Sequence, residues 1–462
     1  MKLTRKSERL GKEPIVPLLF KLSIPSIIAM AVQAFYNVVD SIYIGHVSTD
    51  ALSALSLCFP IQMIIIGISV GTGVGTSSLI SRLLGKGNKK RASNAAEHVM
   101  IITVIYGVLI GLIGLLFSNK LLHMFTSDLK LINMGTQYIS IILMGSFALF
   151  FPMISNNILR GEGNTITPMI AMLIGSILNI ILDPFFIFGY SIFPTWGIQG
   201  AAFATVLSRA ISGIFLFFIL ISDKNELKLN FSDFEFDFSI IKSIYKVGFP
   251  AMVMQFMASF MLGGMNKILA SFSSTAIAAA GIYFRLQSFV FMPVFGLNQG
   301  YMPLVGYNYG HQKPKRMKKA IKSTFIIAFA FTTAGFIIFQ LIPVPLIKLF
   351  NKDPELIKIG SNALKTISLA FPIIGPAIII STTFQAIGKG LPSLLQSFFR
   401  QIVVLLPLMY WLGIKFGLNI LWYAFPISEL ANIIVASIWL VYTLKSVFHE
   451  LQEIKEKDFV IV

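Results

Sequence analysis

Apolar runs long enough to cross a lipid bilayer recur from one end of the chain to the other. A hydrocarbon core of ~30 Å is crossed by a helix of about 20 apolar residues, and backbone polar groups in lipid must be satisfied within the segment. Each run is therefore predicted to be a helix. The runs lie near residues 17–43, 53–80, 95–117, 131–156, 167–189, 198–222, 240–269, 275–305, 320–342, 358–386, 391–413 and 420–444. The sequence predicts an all-α membrane protein of about 12 transmembrane helices, with no soluble domain of any size.

The positive charge falls on one side of this predicted bundle. The formal net charge is +17, which by itself would raise the question of nucleic acid. Loops 47–50 and 190–195 contain no Lys or Arg. The basic clusters are Lys2, Arg5, Lys6, Arg9 and Lys12 at the N-terminus, Arg82, Lys86, Lys89, Lys90 and Arg91 after the second span, and Lys313, Lys315, Arg316, Lys318 and Lys319 after the eighth. By the positive-inside rule both termini are cytoplasmic, so we expect a multi-pass protein of the cell (inner) membrane, surrounded by lipid and not bound to nucleic acid.

The second half of the chain repeats the first. Shifting the sequence by 225 residues matches Pro25 to Pro250, Gly71 to Gly296, Gly75 to Gly300, Gly85 to Gly310 and Arg91 to Arg316. We predict an N-terminal six-helix lobe over residues 1–222, a cytoplasmic linker over 223–239, a C-terminal six-helix lobe over 240–444 and a cytoplasmic C-terminal tail over 445–462. Two parallel, pseudo-symmetric six-helix bundles are typical of alternating-access carriers, which hold the substrate between the repeats.

Two acids and an amide inside the predicted spans of the first lobe need an explanation. Burying a carboxylate at membrane depth costs at least about 3 kcal/mol. Asp40 lies late in the first span, and Asn179 precedes Asp183 by one helical turn, so that the last two share a helix face. The repeat places apolar residues at the matching positions of the second lobe, namely Met265, Ile402 and Leu406. An ion-coupling site in the first lobe explains this asymmetry better than a packing role does.

The chemistry of these groups leaves the coupling ion open. Two carboxylates in a dry cavity can share a proton. Carboxylate, amide and hydroxyl oxygens are also the hard ligands that Na⁺ prefers. The sequence therefore predicts H⁺ or Na⁺ as the coupling ion, with Asp40, Asn179 and Asp183 as metal ligands only if the ion is Na⁺.

The other charged residues in the predicted spans are not assigned to the ion site. Glu429, in the last span, has Arg400 and Arg285 as candidate partners, and the role of all three stays open. Arg209 and Lys267 are predicted to lie near span ends and to extend their charges to the membrane surface.

Enzymatic chemistry is not indicated. The His residues are scattered, and no paired-His metal motif, Walker lysine loop or nucleophile elbow occurs. We predict neither an enzyme nor an organic cofactor, and we expect transport to be driven by an ion gradient and not by ATP. Nothing in the sequence demands a partner subunit, so a monomer is expected.

Several segments at fitting spacing resemble one transporter family. They are the first span with Gln33, Asn37, Asp40 and Gly45, the glycines from Gly71 to Gly85 with Arg91, the turn 160–164 (RGEGN), the segment 178–184 (LNIILDP) and the segment 200–205 (GAAFAT). The chain resembles the multidrug and toxic compound extrusion family, in its DinF-like branch, over nearly its whole length.

The resemblance implies a function and a set of site residues. It implies export of cationic or amphipathic compounds against inward flow of H⁺ or Na⁺. Asp40, Asn179 and Asp183 would form the cation site, with Thr205 as a neighbour, and Pro25 would mark a helix bend. The expected substrate cavity is lined by Gln33, Tyr36, Asn37, Asn156 and Met172.

Two other functions compete with drug export. A lipid-linked oligosaccharide flippase would use a cationic cavity to hold a pyrophosphate head, and Arg285 and Arg400 are the candidate cations for it. A membrane enzyme or a non-transporting scaffold would need clustered catalytic groups or a large soluble extension. Intramembrane acids in the first lobe favour cationic cargo over both.

Overall fold

The structure is a computed structural model that describes residues 7–189, 194–222 and 225–460. Lys2, Arg5 and Lys6 of the basic N-terminus, part of the loop 190–195, two residues of the predicted linker and the last two of the predicted tail lie outside the described residues. The described residues form helices joined by short turns and contain no β-strand. The predicted all-α membrane class is confirmed.

The first half of the chain folds into a short helix followed by seven longer ones. They are α1 (Glu8–Lys12), α2 (Ile15–Val47), α3 (Thr49–Gly85), α4 (Lys89–His123), α5 (Leu129–Met144), α6 (Ser146–Gly161), α7 (Ile166–Phe188) and α8 (Ile198–Ile221). Polar side chains cap the free amides where α3, α4 and α5 begin. Ser48 accepts a hydrogen bond from the amide of Ala51 at 3.0 Å, and Asp128 accepts one from the amide of Lys130 at 2.9 Å.

The second half repeats this order after a 3₁₀ turn at Phe231–Asp233. Its helices are α9 (Phe238–Ala270), α10 (Ser274–Gly310), α11 (Pro314–Leu341), α12 (Pro343–Lys348), α13 (Pro354–Ser368), α14 (Phe371–Ala386), α15 (Gly390–Phe398), α16 (Leu406–Phe416), α17 (Leu418–Leu421) and α18 (Ala424–Val460). A π-helical segment, Phe399–Leu405, joins α15 to α16. Helix α18 continues past residue 444, where the sequence predicts a tail, and its residues Val447 and Leu451 are buried.

The number of spans agrees with the prediction once two bends are counted. Among the described residues, 10 helices are long and apolar enough to cross a membrane, and there are up to 12 if each bent pair is one span. Helices α5 and α6 meet at 51° across Gly145, and α13 and α14 meet at 53°. The predicted fourth and tenth spans are therefore each broken in the middle.

The repeated glycines lie where the two lobes cross. A Cβ atom on Gly71 would come within 2.6 Å of the carbonyl oxygen of Gly248, and one on Gly75 within 2.2 Å of that of Ile244, both on α9. The symmetry-related glycines make the reciprocal contacts, since Gly296 meets Ile27 of α2 and Gly300 meets Leu22 and Ser23. Only glycine allows the backbones to approach this closely. The repeat in the sequence thus encodes a pseudo-symmetric interface between the lobes.

A second pair of repeated glycines brings the two basic turns together. A Cβ atom on Gly85 would lie 2.1 Å from the carbonyl oxygen of Tyr307, and one on Gly310 would lie 2.1 Å from that of Arg82. The ring of His311 is hydrogen-bonded to the carbonyl oxygen of Gly85 at 3.1 Å. The turns after α3 and α10 and the starts of α4 and α11, which carry two of the three basic clusters, therefore share one side of the bundle. We call this side the basic face.

Helix α1 bridges the two lobes at the basic face. The amide of Ser7 donates to the carboxylate of Glu226 at 2.8 Å, on the connector that follows α8. On the other lobe, the side-chain amide of Asn308 donates to the carbonyl oxygen of Leu10 at 2.9 Å, and Arg316 donates to the same oxygen at 3.1 Å. The N-terminal segment thus ties the lobes together on this side.

The connector between the lobes is fixed to α4. The guanidinium of Arg91 donates to Asp237 at 2.9 Å, and the ring of His98 accepts from the amide of Asp237 at 2.9 Å. Asp237 also caps α9 by accepting from the amide of Ser239 at 2.8 Å. Hydrogen bonds from the side chain and the backbone of Ser239, followed by the charge of Arg91, hold the pKa of the partly exposed Asp237 below its usual value.

Candidate cation-binding site in the N-terminal lobe

Three helices of the first lobe bring the predicted polar residues together. Helix α7 packs against both α2 and α8. It carries Asn179 and Asp183 one turn apart on the same face, and both side chains are buried, at 1% and 0% exposure. The side-chain amide of Asn179 donates to the carboxylate of Asp183 at 3.2 Å and to the hydroxyl of Thr205, on α8, at 3.4 Å. Thr205 is therefore a direct neighbour of Asn179.

Asp40 reaches the same cluster from α2. Its carboxyl group is close enough to that of Asp183 for the two to interact electrostatically. One oxygen of Asp40, one of Asp183 and the amide oxygen of Asn179 are all buried and have no donor among the described residues. Unprotonated carboxylates only accept hydrogen bonds, so two of them in contact need a proton or a cation between them.

The set of ligands restricts which ion the cluster can hold. Two carboxylates, one amide and one hydroxyl supply oxygen atoms only, which suits a proton or a hard cation such as Na⁺. Within the part of the chain that the structure describes, no group of three or more His, Cys, Asp or Glu side chains could hold a metal ion. Because two adjacent ionised carboxylates repel strongly at low dielectric, the arrangement favours one bound positive charge.

Tyr138, near Asp40, and its hydrogen-bond partner Gln62 could not be selected from the sequence. The phenol of Tyr138, on α5, interacts electrostatically with Asp40 and with Tyr36. Its hydroxyl accepts a hydrogen bond from the amide of Gln62, on α3, at 3.0 Å. Both Tyr138 and Gln62 lie in predicted spans that contain many other polar side chains, so only their three-dimensional packing against α2 distinguishes them.

The predicted substrate-cavity residues lie on several helices of this lobe. On α2, Tyr36 is one turn from Asp40, and Gln33 is partly exposed while Asn37 is exposed. Asn156 of α6 is buried and its side-chain oxygen has no partner among the described residues. The sulfur of Met172, on α7, accepts a 3.6 Å contact from Arg160.

Two cavities of the molecule lie away from these residues. One of about 470 Å³ is apolar and lies between α4, α6 and α8, and one of about 530 Å³ lies between α9 and α10. Neither is lined by a residue predicted for the substrate cavity. Pro25, the predicted bend, lies within α2, which the structure shows as one continuous helix.

The prediction that Arg209 lies near a span end is wrong. Lys267, for which the same position is predicted, does lie in the last turn of its helix, α9. Arg209 is near the middle of the 24-residue helix α8. Its guanidinium carbon is 5.5 Å from the centre of the Tyr36 ring, inside the lobe. The predicted span 198–222 already places Arg209 near its middle, so the expected position near a span end is inconsistent with the predicted bounds. Hydropathy gives this depth but not the direction of the side chain.

Glu429 pairs with Arg400 and not with Arg285. An oxygen of Glu429 accepts from Arg400 at 2.5 Å, and the other accepts from Asn432 at 3.3 Å. Glu429 is buried and Arg400, in the π-helical segment, is partly exposed. Arg285 is exposed on α10. Of the two cations considered for a pyrophosphate-binding cavity, one is thus neutralised.

We expect Arg400→Met to destabilise the protein by about 2 kcal/mol, less than the ~3–5 kcal/mol that removing one partner of a fully buried ion pair costs. The loss is smaller here because Arg400 is partly exposed. The double variant Arg400→Met/Glu429→Leu should recover most of the loss. Thermal unfolding of the wild type, both single variants and the double variant checks this, and additive losses would contradict it.

A model of a known family matches the chain twice. The MatE family model covers residues 25–185 and again residues 250–411, together well over half of the chain. The chain belongs to the MatE family. Members of this family are transporters, not enzymes, and use ion gradients. The prediction of a transporter of the multidrug and toxic compound extrusion family is confirmed, and the assignment to the DinF-like branch stays a prediction.

Relatives in the MatE family cover nearly all of the chain. It is 28% identical over 417 residues to the FAD transporter of Shewanella oneidensis, across 90% of this chain and 92% of that protein. It is also 28% identical to the multidrug export protein MepA of Staphylococcus haemolyticus, across 92% of each. Among solved structures, the outward-facing conformation of a multidrug resistance MATE family transporter superimposes with a TM-score of 0.90 at 28% identity, covering 97% of this chain and 99% of that one.

Proposed function

We propose that the chain is an ion-coupled antiporter that exports cationic or amphipathic compounds across the cell membrane. The observation that carries this proposal is the electrostatic pairing of the Asp40 and Asp183 carboxyl groups, whose buried oxygens lack donors among the described residues. Such a pair binds one proton or one Na⁺ and loses part of its negative charge, which is what a coupling site must do. The relative named as a multidrug export protein supports the choice of cargo, and the one named as an FAD transporter shows that related proteins are not restricted to cations.

The site couples the ion to the helices that would move. Asp40 is on α2, and Asn179 and Asp183 are on α7, so a bound ion joins the two helices and its release lets two negative charges repel. A ligand that binds one conformation better than the other shifts the population toward it. We propose that ion binding here shifts the balance between states open to opposite sides, and that a cationic substrate competes with the ion for the lobe.

The state of the interface fits alternating access. Close contacts between the lobes at Gly71, Gly75, Gly85 and Gly310 seal the half of the molecule next to the basic face. Asn37, a polar residue within a span, is nevertheless exposed, which favours a water-filled cleft over lipid around it. We propose that the basic face and both termini are cytoplasmic, that the lobes are residues 1–222 and 240–444, and that the structure is open to the outside. We also propose that the transporter acts as a monomer.

The flippase is the weaker candidate. Its cationic cavity would rest on Arg285 and Arg400, and the charge of Arg400 is neutralised by Glu429. The carboxylate pair of the first lobe has no role in holding a pyrophosphate.

Transport by the purified protein in liposomes tests the proposal. We expect efflux of the fluorescent lipophilic cation rhodamine 6G when an inward H⁺ or Na⁺ gradient is imposed, and the gradient that drives it identifies the coupling ion. Protein-free liposomes with the same gradients are the control. If neither gradient drives efflux above that control, ion-coupled export of cations is excluded.

A further inference from the structure

Arg209 places a positive charge deep in the first lobe, where neither the ion site nor packing requires it. It lies roughly 16–18 Å along α8 from either helix end, at a rise of ~1.5 Å per residue. An arginine at the centre of a membrane helix costs at least ~2.5–3.5 kcal/mol. Residues of this kind face a bundle interior or a water-filled cavity and mark ligand pathways. The depth of Arg209 therefore calls for a ligand or a partner.

The surroundings of Arg209 supply no negative charge. Its guanidinium lies over the ring of Tyr36 at 5.5 Å. It also lies over Gly175 of α7, where a Cβ atom would be 3.6 Å from the guanidinium nitrogen. Within the described residues, Arg209 makes no hydrogen bond and no carboxylate lies within 4.0 Å of it. Since a guanidinium carries five N–H donors, its capacity to bind an anion is unused.

The position of Arg209 links it to the cluster around Asp183. It lies one helical turn, about 6 Å, from Thr205 on the same face of α8. Tyr36 lies one turn from Asp40 on α2. The same three helices thus present a carboxylate pair and, one turn toward the basic face, a cation stacked on an aromatic ring.

We infer that Arg209 is the anion-binding group of the substrate site and that the transporter accepts aromatic amphipathic compounds carrying a phosphate or carboxylate. The planar guanidinium binds such groups through two parallel hydrogen bonds. An aromatic substrate ring can contact Tyr36, which holds the guanidinium in place. This inference rests on the proposed transport function and extends its substrate class beyond cations.

Binding of two flavins that differ by one phosphate tests the inference. Riboflavin and flavin mononucleotide share the same aromatic ring system, and only the second carries a phosphate. Affinities are measured by flavin fluorescence on the purified protein in phosphatidylcholine nanodiscs. We expect the wild type to bind flavin mononucleotide at least tenfold more tightly than riboflavin. Arg209→Gln should make the two affinities equal, while Arg209→Lys should keep part of the preference.

The matched control is a variant that removes a cation stacked on an aromatic ring outside the first lobe. Lys415 lies 5.3 Å from the ring of Trp411, near the end of α16, so Lys415→Gln removes the same charge and the same kind of contact outside the lobe. Its flavin preference should equal that of the wild type. Thermal unfolding of each variant verifies that it is folded.

Three results would overturn the inference: no binding of flavin mononucleotide, equal affinities in the wild type, or a preference that survives in Arg209→Gln. Adding phosphatidylglycerol to the nanodiscs distinguishes the source of the anion. If this lipid displaces flavin mononucleotide from the wild type, an anionic lipid headgroup occupies Arg209 in a bilayer that contains such lipid, and the inference of a soluble anionic substrate is overturned. Rhodamine 6G transport in liposomes separates the two proposals, because absence of gradient-driven efflux overturns the proposed function, whereas intact efflux without flavin preference overturns only the anion site.

Discussion

Replacing either acid of the first lobe with its amide is expected to reduce gradient-driven efflux of rhodamine 6G to the level of protein-free liposomes. In Asp40→Asn or Asp183→Asn one carboxylate remains, and an amide next to it can donate a hydrogen bond where the wild type needs a proton or a cation. The pair then no longer gains and loses one positive charge in each cycle. Coupling is lost because the ion has no differential affinity for the two conformations.

The free energy of unfolding of Asp40→Asn and Asp183→Asn should change little. A loss of transport in these variants can therefore be attributed to lost coupling and not to unfolding. Asn179 donates to a carboxylate oxygen of Asp183 at 3.2 Å, and the amide oxygen introduced by Asp183→Asn can accept the same bond. Asp50→Asn is the matched control, since Asp50 pairs with Lys130 at 2.5 Å in an exposed position. It should transport at the wild-type rate. Full transport by either Asp40→Asn or Asp183→Asn would exclude the carboxylate pair as the coupling site.

Part of the carboxylate cluster can be predicted from the sequence, and part of it requires the structure. The cost of an acid in the membrane selects Asp40 and Asp183, and the spacing of four residues places Asn179 beside Asp183, where the structure has it. The contact between Asp40 and Asp183 joins α2 to α7 and depends on how the helices are rotated against each other. Hydropathy contains no information on that rotation. Tyr138 approaches Asp40 for the same reason, and no pattern in the sequence indicates it.

The fold, like the candidate site, can be predicted from the sequence only in part. Length and apolar character predict the spans, and the shift of 225 residues predicts the two lobes. The sequence does not predict the break at Gly145, because glycine is common in membrane helices and most glycines there do not interrupt them. The repeated glycines indicate duplication, but their physical role as crossing points between the lobes requires the structure. Arg209 lies near the middle of the predicted span 198–222, so those bounds already contradict the expected position near a span end. The contact of its guanidinium with Tyr36 requires the structure.

Replacing a glycine at which the two lobes cross with a larger residue is expected to prevent the lobes from closing at the basic face. In Gly75→Val, the added Cβ atom would lie 2.2 Å from the carbonyl oxygen of Ile244. The obstacle is backbone, so no side chain can rotate away, and α3 must separate from α9. Overpacking typically costs about 1–3 kcal/mol and occasionally more, and a clash with backbone should cost at least about 3 kcal/mol. We expect a lower temperature of thermal unfolding and loss of gradient-driven transport.

Accessibility of a single cysteine reports directly on the interface in this variant. Ser78 of α3 is fully buried and donates to the carbonyl oxygen of Gln385, on the other lobe, at 2.5 Å. The chain has one cysteine, Cys58, so the background Cys58→Ser/Ser78→Cys carries one thiol at the interface. A water-soluble maleimide should label this thiol slowly with Gly75 present and rapidly with Gly75→Val.

The matched control for this labelling is a glycine substitution with no close neighbour. Gly263 lies on α9 and a Cβ atom there meets nothing within 4 Å, so Gly263→Val adds the same side chain without separating the lobes. It should leave labelling of the interface thiol slow. If the thiol in Gly75→Val is labelled as slowly as in Gly263→Val, and the two variants unfold at the same temperature, the close crossing of α3 and α9 does not hold the basic face shut.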